Sequence, residues 1–170
     1  MKLTLGNRFI IDTNVLITLM AFYPRNNPTF KAIWDEIEEL IKQKNIFSTS
    51  IVYDEIMQYA GKNDSLKKWS IENKNQFFIS LNPEVWKLAQ DIVKDFPDLP
   101  NKKKMQTGEP DADPFLIALA QSEAAIIITQ EKDEVNKIPA VARHYNIECI
   151  NLFEFFKKRG LKFVKEDNGT

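Results

Sequence analysis

Cysteine and histidine are almost missing from this chain of 170 residues, which has one of each, Cys149 and His144. A single cysteine excludes an internal disulfide and leaves no thiolate cluster for zinc. An excess of charge of one sign is lacking too: 23 Lys and Arg stand against 24 Asp and Glu, a formal net charge of -1. With no global basic field to draw in nucleic acid, a polyanion has to be held by a local patch or through metal ions. No apolar run reaches membrane-spanning length, and residues 1–8 lack the apolar stretch of a signal peptide, so the expectation is a cytoplasmic protein in a reducing setting, with no membrane association. Internal repeats and low-complexity blocks are absent as well. What remains, 44% hydrophobic and 28% charged, is the composition of an ordinary soluble globular protein. The length suits one domain over residues 1–165 with a polar tail at 166–170.

Strand-like and helix-like segments alternate, which predicts an α/β domain around a mainly parallel sheet. The apolar run Phe9-Ile10-Ile11 ends abruptly at Asp12-Thr13-Asn14 and turns into a second apolar segment, as a buried strand handing a carboxylate to the tip of a sheet would. Pro28 opens a segment whose Phe30, Ile33, Trp34, Ile37, Leu40 and Ile41 recur at helical spacing, with Trp34 read as core. Asn45 to Thr49 reads as a second strand, Ser50 as the cap of the next helix and Gly61 as its stop. Asp64 to Lys74 suits a short polar helix around Trp69, and Gln76 to Leu81 is a strand or an extended packing segment. Asn82-Pro83 starts a helix that Pro97 and Pro100 stop. Asn101 to Pro110, with the run Lys102-Lys103-Lys104, has the look of a mobile loop. Asp113-Pro114 matches a cap and first helical residue, Ala124 to Thr129 a buried strand, Pro139 to Tyr145 a helix, Ile147 to Ile150 a last strand, and Leu152 to Lys158 a last helix ending at Gly160.

Four acids occupy equivalent positions along this map. Asp12 and Glu131 follow strands, Asp113 begins a helix, and Glu55 lies near the start of another. Each has a structural alternative: Asp12 and Asp113 as helix caps, with Asp111 at the same helix end, and Glu55 as a solvent-facing helical residue. Brought together, the four would repel one another and raise one or more pKa values unless a cation neutralised them. Oxygen ligands with no His or Cys nearby suit magnesium or manganese better than zinc, and such ions activate water and stabilise charge on a phosphodiester. His144, in a late helix, has no part in that scheme.

Asp12-Thr13-Asn14 after an apolar strand, Glu55 in an early helix, Asp113 with Ile117, Ala118 and Ala120 behind it, and Thr129-Gln130-Glu131 after a late strand resemble, in order over nearly the whole chain, the acidic pattern of PIN-domain nucleases. The resemblance implies a three-layer α/β/α fold and cleavage of single-stranded RNA with Mg2+ or Mn2+, often by a toxin silenced by an antitoxin protein. It implies Asp12, Glu55 and Asp113 as metal ligands, Glu131 completing the site, and Asn14 and Thr129 orienting carboxylates or water. Three departures stand out. The fourth position is a Glu, with Asp133 as a substitute. The third motif carries an extra residue, so Asp111 can share its duty. The segment from Lys62 to Gly108 is longer than a minimal PIN domain needs. Lys102, Lys103 and Lys104 are candidate phosphate contacts, and a homodimer is a further expectation that no pattern locates. Two rivals remain in view. A phosphatase of the haloacid dehalogenase type needs a second Asp two residues after the first, where this chain has Asn14. A non-catalytic PIN-like scaffold that binds RNA or protein would keep its acids as helix caps.

Overall fold

The computed structural model describes residues 7–59 and 64–163. Strand β1 (Phe9–Ile11) runs directly into α1 (Thr13–Phe22), so Asp12 is the single residue between them. One turn of 3-10 helix (Pro28–Phe30) leads to α2 (Lys31–Lys42), β2 (Ile46–Thr49) and α3 (Ser50–Gln58). Next come α4 (Asp64–Glu72), α5 (Lys74–Phe77), β3 (Phe78–Ile79), α6 (Pro83–Asp95), α7 (Lys102–Thr107) and α8 (Ala112–Glu123). The described part closes with β4 (Ile126–Ile128), α9 (Ile138–His144), β5 (Cys149–Ile150) and α10 (Leu152–Lys158).

All strands are parallel, in the order β3-β2-β1-β4-β5. Every residue of β1, β2 and β4 is buried, the signature of a sheet covered on both faces, and their Ile- and Phe-rich sequences fit that position. Helix α8 is apolar nearly all round, with Ala112 and Pro114 through Ala120 buried, because it lies between the sheet and α6. Burial of each Ile or Leu in this sandwich is worth roughly 1.5–3 kcal/mol, so the start of α8 is firmly indexed to the sheet. Trp34 is core as expected: its indole N–H donates to the Tyr23 carbonyl at 2.6 Å and its ring meets Trp69 edge-on at 6.1 Å. The fold is the three-layer α/β/α arrangement expected from the sequence.

Several local expectations change. Gln76 to Leu81 resolves into the last turn of α5 and the short edge strand β3, which pairs with β2. The helix expected from Pro28 starts as a 3-10 turn and becomes α-helical at Lys31. Thr49, not Ser50, caps α3: its hydroxyl accepts the N–H of Val52 at 3.2 Å from extended backbone, whereas Ser50 is already helical. The lysine run is not a loop but helix α7, capped by Asn101 and closed by Gly108 in the left-handed region at φ 74°. Six residues are too few for a hydrophobic period to register. Asp111 takes the cap position of α8, placing Asp113 in its first turn, where Pro114 still sacrifices no helical hydrogen bond. The expected helix stop at Gly61 and the tail at 166–170 lie outside the described residues.

Candidate active site

From β1 the chain builds outward to β2 and β3 on one side, and from β4 to β5 on the other. The crevice beyond the carboxyl ends of β1 and β4 is therefore the topological switch point, where open parallel sheets bind ligands. Register pairs Ile11 with Ile128, so the next residues, Asp12 and Thr129, stand side by side. The Asp12 N–H donates to the Ile128 carbonyl at 3.1 Å, and the Thr129 hydroxyl donates to Asp12 Oδ2 at 2.9 Å. Asp12 is 5% exposed and occupies the cap position of α1, yet its side chain makes no capping bond. Asn14 Nδ2 reaches the same Thr129 hydroxyl at 3.5 Å, and Asn14 Oδ1 accepts the Gln130 N–H at 3.1 Å, which pins the turn after β4.

Glu55 comes from the second turn of α3. Its Oε2 accepts the Thr13 hydroxyl at 2.7 Å, and its Oε1 accepts both the Ala112 N–H at 3.2 Å and the Lys104 ammonium. Asp111 Oδ1 takes the other side of that ammonium at 3.2 Å. Glu131 projects from the turn after β4, where its Oε2 accepts the Ile138 N–H at 2.9 Å at the start of α9 and its Oε1 lies 3.7 Å from the Lys137 ammonium. Asp113 has no hydrogen bond or ion pair among the described residues, although the charges of Asp111, Asp12, Glu131 and Glu55 all act on it. The fold thus gathers Asp12, Glu55, Asp111, Asp113 and Glu131 at one end of the sheet. Asp133 stays outside, in an exposed ion pair with Arg143.

The crowding has its electrostatic consequence. Burial pushes the Asp12 carboxyl up to about 7, with Glu131 and Glu55 adding to the rise while the hydrogen bonds from Thr129 and Thr13 oppose it. Burial and the charge of Asp111 likewise hold Asp113 well above the ordinary carboxylate range. Burial pulls the Lys104 ammonium down, but the bond and charge of Glu55 together with Asp111 outweigh it and leave the pKa raised. Beside these groups opens a cleft of about 620 Å³ lined by Glu55, Asp111, Asp113, Glu131, Lys104 and Lys137.

The donor chemistry suits a hard divalent cation, since the side chains offered are carboxylates. Cys149, on β5, is no competitor: burial first, then the charge of Asp12, pushes its thiol up to about 12 and keeps it protonated. His144 packs edge-on against Phe96 and Tyr145, each at 5.1 Å, on α9. As the side chains stand, no group of three or more His, Cys, Asp or Glu among the described residues is disposed to hold an ion. Three of the acids have other partners: Lys104 draws on Glu55 and Asp111, and Glu131 is engaged by Ile138 and Lys137.

Sequence reasoning missed two supporting groups. Thr13 orients Glu55, and its place in Asp12-Thr13-Asn14 was the available signal. Ser48 donates to the Ile11 carbonyl at 2.6 Å, bracing the end of β1 from the neighbouring strand, and nothing in its sequence context announced that bond.

The sequence profile of a family described as a domain of unknown function, DUF4411, matches residues 9–163. The chain belongs to the DUF4411 family. No curated protein shows significant sequence similarity to this DUF4411 chain. Among solved structures it is similar to VapBC2 from Rickettsia felis, crystallised bound to a DNA fragment from their promoter, with a TM-score of 0.51 and 16% identity over 84% of this chain and 97% of that one. FitAcB from Neisseria gonorrhoeae aligns with a TM-score of 0.49 and 15% identity, covering 84% and 96% of the two chains. At such identity the first likeness speaks for the fold, and the DUF4411 chain has a PIN-like fold.

Proposed function

We propose that this chain is a metal-dependent endoribonuclease that hydrolyses phosphodiester bonds of single-stranded RNA with Mg2+ or Mn2+. The observation that supports it most is Asp12: a buried carboxylate at the mouth of the sheet, held by the Thr129 hydroxyl and under the charges of Glu131 and Glu55. Asp12, Glu55 and Asp113, with Asp111 sharing the duty of Asp113 and Glu131 in the fourth position, would hold the ion. Once bound, the ion supplies activation of the attacking water and neutralisation of charge on the phosphodiester. Thr129 and Thr13 hold Asp12 and Glu55 in orientation through their hydroxyls, and Asn14 fixes the turn that carries Glu131. Lys102 and Lys137 rim the cleft and give an RNA backbone local positive charge that the chain lacks globally. In this reading the protein is the toxin of a toxin–antitoxin pair, as its resemblance to PIN-domain nucleases implies, and an antitoxin is its partner.

A second reading has its own support, for Glu131 binds the first N–H of α9 and Glu55 binds that of α8. Acids so employed also suit a non-catalytic scaffold that binds RNA or protein. Cleavage of single-stranded RNA, duplex RNA and DNA by wild type and Asp12→Asn, each with Mn2+, Mg2+ or excess chelator, separates the two. The nuclease reading expects metal-dependent cutting of single-stranded RNA that Asp12→Asn abolishes. No cutting together with no Mn2+ binding would leave the scaffold.

A further inference from the structure

Helix α7 presents its lysines unequally. The Lys102 side chain is 78% exposed and pairs with Asp98 at the surface, whereas Lys104 is 26% exposed and turned inward between Glu55 and Asp111. Asp111 does double duty: while Oδ1 faces the Lys104 ammonium, Oδ2 accepts the N–H of Asn101, the cap residue of α7, at 2.6 Å. Helix α7 has no buried residue, and a helix of six residues has no stability of its own in water. What fastens it over the cleft, beside the exposed pair of Lys102 and Asp98, is the grip of Glu55 and Asp111 on Lys104 and of Asp111 on the Asn101 N–H. The same two carboxylates belong to the set proposed above to hold a divalent ion, while Asp113 beside them is without a cationic partner among the described residues. An ammonium group and a divalent ion compete for the charge of Glu55 and Asp111.

Resting on the metal reading above, we propose that Lys104 is a tethered counter-ion of the acidic cluster, exchanged for the divalent cation on loading, and that α7 is a cover whose attachment to the cleft is set by that exchange. Without the ion, Lys104 keeps Glu55 and Asp111 from repelling each other and holds α7 down. With the ion in place, the ammonium loses its seat, α7 loosens, and a cleft wall that includes Lys102 and Lys104 is freed toward a polyanion.

Two measurements test this, neither of them cleavage. Mn2+ affinity is measured by calorimetry for wild type, Lys104→Gln and Lys104→Arg, and amide hydrogen exchange of wild type is followed with and without saturating Mn2+. Removing the competing charge is expected to tighten Mn2+ binding at least tenfold in Lys104→Gln, with Lys104→Arg close to wild type. In wild type, Mn2+ is expected to speed exchange at Met105 and Glu109, whose N–H groups bond to the Asn101 and Lys104 carbonyls. Equal Mn2+ affinity in all three proteins would overturn the counter-ion and leave the metal reading standing. Absence of Mn2+ binding in all three would overturn both. If Lys104→Gln does not fold, the wild-type exchange decides: unchanged protection of α7 at saturating Mn2+ refutes the cover.

Discussion

Replacing Asp12 with Asn should make the metal-free protein more stable at alkaline pH, although the mutation deletes the acid at the centre of the site. The wild-type carboxyl titrates near 3.8 in the unfolded chain and at about 7 in the folded one, chiefly because it is buried. Between those values the native state holds a proton that the unfolded state has released, so the contribution of this group to stability falls as pH rises across the window and is flat above it. At about 1.4 kcal/mol per pK unit, ionised Asp12 costs the fold up to about 4 kcal/mol at pH 8. Asparagine avoids that cost and keeps an acceptor for the Thr129 hydroxyl, but its amide N–H groups enter a site built for oxygen, which takes back about 1–3 kcal/mol. The expected net gain at pH 8 is about 2 kcal/mol, or about 4–8 °C in Tm. At pH 4 the wild-type group is protonated and the gain should vanish or reverse. Urea unfolding followed by circular dichroism at pH 4, 6 and 8 in chelator measures the difference. Asp113, also raised, leaves the mutant a residual slope of the same sign. A mutant less stable than wild type at pH 8, or a gap independent of pH, would refute the claim that Asp12 is held ionised at a cost. Adding Mn2+ should reverse the ranking by stabilising wild type alone.

Glu131→Gln is expected to weaken Mn2+ binding about tenfold while the exposed Asp133→Asn leaves it unchanged; calorimetry giving the opposite order would move the fourth position to Asp133. Thr13→Val removes the 2.7 Å bond to Glu55 and should cost about 1 kcal/mol in a urea titration, together with some Mn2+ affinity. Asn151→Ala breaks the reciprocal capping box at α10, in which the Asn151 side chain and Glu154 satisfy each other's backbone N–H, and should cost about 1 kcal/mol with no change in Mn2+ binding.

Strong periodicity and cap chemistry were legible in the sequence. The runs Phe9-Ile10-Ile11 and Ile126-Ile127-Ile128 announce strands buried on both faces, and Asn82-Pro83 announces the start of α6 at the correct residue, with Asn82 accepting the Val85 N–H at 2.9 Å. Placement at strand ends and near helix starts made Asp12, Glu55, Asp113 and Glu131 candidates, and it was their resemblance in order to the PIN-domain pattern that implied a common site. Short elements were not legible. Helix α7 has no apolar face to show, and β3 is two residues of an aromatic stretch whose Phe77 belongs to the preceding helix. The inward turn of Lys104 was hidden for a different reason: its partners Glu55 and Asp111 are set by tertiary packing, and three consecutive lysines look alike until the helix gives each its own direction. The confusion of Asp111 with Asp113 at the cap of α8 has the same root, since either acid followed by a small residue or Pro can open a helix.

The bond between Thr129 and Asp12 spans 117 positions of chain. A ribosome working at about 5–20 residues per second takes several seconds to travel that far, and throughout that time Asp12 has no neighbour from β4. The strand that seats Asp12 comes after α8, and β5, which supplies the carbonyl of Ile150 for the Thr129 N–H, comes later still. A nascent chain of this protein is therefore an incomplete site until Ile150 has been made. Truncation from the carboxyl end should remove the geometry of the acids before it removes the helices that carry them.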